Sequence, residues 1–141
     1  MKENYKNRSE IESVVRGFES CATDKDGFTH RKHLTVAVWY LSDSTFAEAT
    51  EKMRGGLFRF LDHHGVGREK YNETITVFWI TMIHNCLKGL DLQHTLVPVT
   101  NAVVAMLDDP RLILQYYSEE RLRSKEARQG WVEPDLRSIS E

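Results

Sequence analysis

The chain has 141 residues, 40% of them hydrophobic and 28% charged, with a formal net charge of −2 and a sequence pI near 6.3. That is enough apolar material for one domain with one core, and it carries neither the basic footprint of a nucleic-acid binder nor a polybasic surface for anionic lipid. The polar start MKENYKNRSE lacks an apolar h-region, so no secretory signal is expected; VFWITMI is too short to span a bilayer, and Cys21 and Cys86 have neither zinc nor disulfide-framework spacing. The expectation is a reduced, cytoplasmic protein: a single all-α domain over residues 1–141, its tail 131–141 packed on the body or partly disordered.

Three prolines and apolar residues at helical spacing predict a compact bundle of about five main helices followed by short helical turns. Ser9 and Glu12 form a capping-box pattern ahead of Ile11, Val14, Val15 and Phe18. Asp24 to Gly27 reads as a turn, and Thr29 as the N-cap of a second helix reaching about Leu41. Asp43 or Ser44 would cap a third, whose apolar stripe runs Phe46, Ala49, Met53, Leu57, Phe60, Leu61. Gly55 and Gly56 inside it predict close approach of a neighbouring helix. Gly65 and Gly67 end it. A fourth helix beginning near Asn72 is apolar around most of its circumference and should be central. Pro98 lies near the start of a fifth, Asp109 and Pro110 form a cap and first position, and Ser118 and Ser124 cap two further turns. Trp131 and Val132 should fasten the tail to the body.

Chemistry is suggested by two helix starts. At about 100° per residue, His30, His33, Leu34, Ala37, Tyr40 and Leu41 share one sector of the second helix, with Arg31, Lys32 and Thr35 on the other side. A helix N-terminus disfavours a positive imidazole, so both rings would be neutral, able to accept a proton or ligate a metal. Glu73, in the first turn of the fourth helix, shares a face with Thr76, Val77 and Ile80. Two histidines and a carboxylate make an acid/base cluster or a ligand set with open positions for a single divalent metal ion, zinc or iron. Tyr71, Thr76, Tyr40 and Trp79 would line the pocket and orient substrate. Each group also has an ordinary structural use: a capping carboxylate, hydrogen-bonded histidines, packed aromatics. His63 and His64 suit a solvated helix C-terminus, His84 a hydrogen-bonded core position, His94 a loop, and Arg121, Arg123 and Arg128 a solvated face.

The segments FTHRKHL, YNETIT and YYSEERLRSKEARQGWVEPDL resemble a group of small uncharacterised bacterial proteins that carry F-T-H-x-x-H-L, Y-x-E-T-x-T and W-V-x-P-D-L segments. The similarity spans residues 18 to 136. It implies a compact helical domain and the motif positions His30, His33, Tyr71, Glu73 and Thr76, with Asn72 standing where those relatives carry histidine. It brings no reaction with it.

Two functional readings follow. One is a small-molecule enzyme with a pocket between the second and fourth helices, His30, His33 and Glu73 as catalytic or metal-ligating groups, and the Trp131 tail excluding water. The other is a non-catalytic module binding a small ligand or a partner protein, in the same cavity or through the aromatic side of the second helix around Trp39, with a homodimer compatible with that surface. A bundle whose inward polar residues only settle packing is the plain alternative to both.

Overall fold

A computed structural model describes residues 4–90 and 95–139. In chain order the helices are α1 (Arg8–Glu19), α2 (His30–Asp43), α3 (Phe46–His63), α4 (Glu73–Leu87), α5 (Leu96–Leu107), α6 (Glu119–Arg123) and α7 (Lys125–Gln129). A 3-10 turn at Arg68–Lys70 precedes α4, and another at Pro110–Gln115 follows α5. No strand occurs among the described residues, and none of their helices is long and apolar enough to cross a membrane. The all-α reading holds. His94 lies outside the described residues.

The helix starts are set by local side-chain chemistry. Thr29 accepts from the Lys32 amide, Asn72 from Ile75, Asp109 from Arg111, Ser118 from Arg121 and Ser124 from Ala127, each satisfying an amide the helix leaves unpaired. Two caps differ from expectation. Helix α1 is capped by Asn7, not Ser9, because Asn7 Oδ1 takes the Glu10 amide while the Glu10 carboxylate reaches back to the Lys6 amide; Glu12 pairs with Arg8 instead. Helix α3 starts at a full capping box, Thr45 with Glu48, rather than at Asp43 or Ser44.

Helix α2 contacts α1, α3, α4 and α5, and α4 contacts α2, α3, α5 and α7. Both are therefore central. Leu34, Thr35, Val36, Ala37 and Val38 are all buried in succession, so α2 has no solvent side over this stretch. This corrects the outward placement of Thr35: its hydroxyl donates to the Arg31 carbonyl and pairs with the Tyr5 hydroxyl at 2.9 Å. Ile11 and Phe18 from α1, Met53 and Phe60 from α3, Phe78 and Ile83 from α4, and Val103 and Val104 from α5 complete the core. At about 25 cal/mol per Å² of apolar surface, this burial is the main force holding the helices together.

The tail is fixed mainly through its backbone. Thr74, fully buried in the first turn of α4, donates its hydroxyl to the Gly130 carbonyl at 2.8 Å and accepts from the Val132 amide at 3.2 Å. Tyr117 donates to the Val132 carbonyl, Arg121 Nε to the Glu133 carbonyl, and Ser118 to the Asp135 carboxylate. Trp131 itself keeps 38% of its surface exposed, so its indole contributes less to the attachment than the expectation gave it.

Candidate functional site

Helix α4 begins at Glu73, whose carboxylate is gripped from α3. Arg54 Nε donates to Oε1 at 3.0 Å and Nη2 to Oε2 at 2.5 Å, the parallel fork geometry that makes guanidinium–carboxylate pairs strong and directional. The Tyr71 hydroxyl donates to Oε1 at 2.5 Å, and Arg54 Nη1 reaches Glu51 at 2.7 Å. Burial alone would raise the Glu73 pKa, but the hydrogen bonds from Arg54 and Tyr71 and the guanidinium charge outweigh it and hold it below the ordinary carboxylate range. Burial, then the bond to Glu73, pushes the Tyr71 phenol above its usual value. Near neutrality Glu73 is thus ionised and Tyr71 protonated.

These groups line a cavity of about 690 Å³ between α3, the Arg68–Lys70 turn, α4 and α7. Phe58 and Arg68 form one side, with the Arg68 guanidinium 4.6 Å from the Phe58 ring centre and Phe58 4.6 Å from the Tyr71 ring. Helix α7 supplies Lys125, Arg128 and Gln129. Four cationic side chains therefore face two carboxylates, Glu69 and Glu73, and the cavity is positive. Arg54 and Arg68 have partners in Glu73 and Asp62; the Lys125 and Arg128 side chains have no ion pair or hydrogen bond among the described residues. Phe58 falls off the apolar stripe of α3, the one signal in the sequence that this face was not simply solvent. Arg54, Arg68 and Lys125 gave none, and Arg128 read as surface.

The histidines are elsewhere. His30 packs edge-on against Trp79, ring centres 4.5 Å apart, and its Nε2 lies 2.8 Å from the Leu107 carbonyl at the end of α5. A carbonyl only accepts, so Nε2 carries the proton and serves as a cap on that helix. Trp79 is six residues beyond Glu73, about 240° around α4, so His30 meets a face turned away from the carboxylate. His33 points to the aromatic cluster instead, 5.9 Å from the Phe28 ring, with Nε2 buried and lacking a hydrogen-bond partner. Burial, and then the nearby His30 charge, lowers its pKa to about 4.

Among the described residues no three His, Cys, Asp or Glu side chains form a group that could hold a metal ion. This corrects the expected His30, His33 and Glu73 ligand set: α2 packs against α1, α3, α4 and α5, the two imidazoles diverge toward different neighbours, and the carboxylate is occupied by a guanidinium. Of the residues expected to orient substrate, Tyr71 shares the Glu73 cavity. Tyr40 lines a separate one of about 310 Å³, where it donates to Glu19 at 2.6 Å. Trp79 and Thr76 are buried, Thr76 with its hydroxyl on the Asn72 carbonyl and within hydrogen-bond reach of the Tyr71 phenol. The cavity that holds Glu73 is walled by α3 and α7 rather than by α2, and α7, not the Trp131 segment, covers it. His64 also departs from a solvated cap: its ring lies 4.5 Å from Phe60 and its Nε2 is buried without a partner.

Compared with known proteins, the chain matches no family model, no curated protein and no solved structure.

Proposed function

We propose that this protein is a small-molecule-binding domain whose ligand carries an anionic group and sits in the cavity between α3, α4 and α7. The observation that carries this reading is the charge arrangement: a cation-rich cavity of ligand size in which Lys125 and Arg128 have no partner of their own. The Arg54–Glu73–Tyr71 unit forms a rigid polar wall, every member hydrogen-bonded to the next. Binding is favoured over proton transfer because Glu73 and Tyr71 are shifted away from neutrality in opposite directions, whereas a general acid or base works best with a pKa near the working pH. A cytoplasmic setting belongs to the same proposal and agrees with two free cysteines.

The test is an NMR titration with inorganic phosphate at low ionic strength, following the amides of residues 68–73 and 125–129. The expected result is saturable shifts in both segments, weakened by the Lys125→Ala/Arg128→Ala double variant. Shifts absent from these segments, or unchanged in the double variant, would overturn the proposal.

A further inference from the structure

Resting on that reading, we infer that the cavity takes an aromatic acid bearing an amino or hydroxyl donor at the end opposite its acid group. Contacts along one wall run in a fixed order. Arg68 lies over Phe58, Phe58 packs on Tyr71, and Tyr71 bonds to Glu73. The wall thus runs from the Arg68 guanidinium, over two aromatic rings, to the Glu73 carboxylate clamped by Arg54.

Counting hydrogen-bond capacity at the two ends sharpens the ligand. A carboxylate offers about four acceptor places. Arg54 and Tyr71 fill two on Glu73 Oε1, and Arg54 fills one on Oε2. One acceptor place remains, on Oε2, in a side chain that keeps 15% exposure and lines the cavity. A ligand atom there must donate. At the other end, Arg68 uses Nε and Nη2 on Asp62, at 3.2 and 2.8 Å. Of the roughly five guanidinium donors, three stay open, and the guanidinium lies over the Phe58 ring, 4.6 Å from its centre. The Arg68–Asp62 pair is itself exposed, so it competes weakly with an incoming acid. Between the two ends, Phe58 and Tyr71 present ring surface suited to a flat ligand ring. A ligand bearing only an acid group would leave the open Glu73 acceptor without a donor, and a purely apolar one would strand both ends.

The probes are 4-aminobenzoate, benzoate and aniline, titrated by NMR into the wild-type chain and into Arg68→Gln, an exposed change that leaves the core untouched. 4-Aminobenzoate is expected to bind about tenfold more tightly than either of the others, the usual effect of one added charge-assisted hydrogen bond. In Arg68→Gln its affinity should fall to about that of aniline. Benzoate binding as well as 4-aminobenzoate, or an Arg68→Gln variant with undiminished preference, overturns the inference. If phosphate binds in the cavity while none of the aromatic probes does, this ligand class fails and the anion-binding reading stands. If phosphate fails as well, both fall.

Discussion

Gly55 and Gly56 are adjacent in α3, yet the structure needs only one of them. A methyl group at Gly56 would sit 2.6 and 2.8 Å from the Phe18 ring carbons, and Phe18 cannot retreat: it is fully buried and stacked on Phe28 at 4.4 Å. A methyl group at Gly55 would meet only the Arg59 guanidinium at 3.5 Å, ordinary contact. The same substitution should therefore act with opposite signs. Gly55→Ala is expected to stabilise by up to about 1 kcal/mol through helix propensity. Gly56→Ala should destabilise by about 1–3 kcal/mol through overpacking. Urea unfolding checks both, with the midpoints moving in opposite directions at a constant slope. The sequence pattern foresaw close approach at this pair, and the residue beneath Gly56 is what separates the two positions.

At the scale of elements, the first turn of α4 organises much of what surrounds the cavity. Asn72 caps the helix and, through Nδ2, holds the Leu122 carbonyl of α6; Glu73 fixes Arg54 of α3; Thr74 fixes the tail. Thr74→Val preserves shape but strands the Gly130 carbonyl and the Val132 amide. It should cost about 1–3 kcal/mol, with faster hydrogen exchange at Val132, while Thr74→Ser retains most of the attachment. Because Gly130 directly follows α7, the same change should loosen the cavity wall that carries Lys125 and Arg128. Caps such as Thr29, Asp109, Ser118 and Ser124 could be read from sequence because donor and acceptor lie within three residues of each other. The Thr45–Glu48 box is equally local, but Ser44 and Asp43, one and two residues before Thr45, offer the same cap chemistry in the sequence. The site was legible only at one end. Helical spacing turns Glu73 inward, but its partner comes from α3, and no periodicity indicates which side chain of another helix will meet it. The histidines misled for the same reason: a stripe on α2 names an inward face only if the helix has an outside, and α2 is covered throughout Leu34–Val38.

For the whole molecule, the half-buried His33, whose Nε2 is buried, and the clamped carboxylate make stability depend on pH in two separable stages. His33 has a folded pKa of about 4 against an ordinary value of 6.5, so between those values the unfolded chain binds the proton and the folded one does not. Its neutral form supports the fold fully above pH 6.5, and stability declines as pH falls toward 4. At about 1.4 kcal/mol per unit, the loss is on the order of 3 kcal/mol, a large part of what holds a domain of this size folded. Glu73 acts lower. Its folded pKa lies below 4.5, so the Arg54 clamp contributes above that pH and is lost as acidification passes through the depressed value. His33→Leu should therefore flatten the stability curve between pH 6.5 and 4 while leaving the steep fall below 4.5. Glu73→Gln should lower stability at neutral pH and reduce the dependence below 4.5, leaving the upper stage intact. Urea midpoints from pH 3 to 8 for the wild type and both variants separate the stages; a wild-type curve flat from pH 6.5 to 4 would mean His33 protonates freely in the folded chain. The two stages also report on different parts of the molecule. The first follows the aromatic packing of α1, α2 and α3 around Phe28, and the second follows the wall of the ligand cavity. A bound anion that holds that wall together should therefore shift the lower stage and leave the upper one where it was.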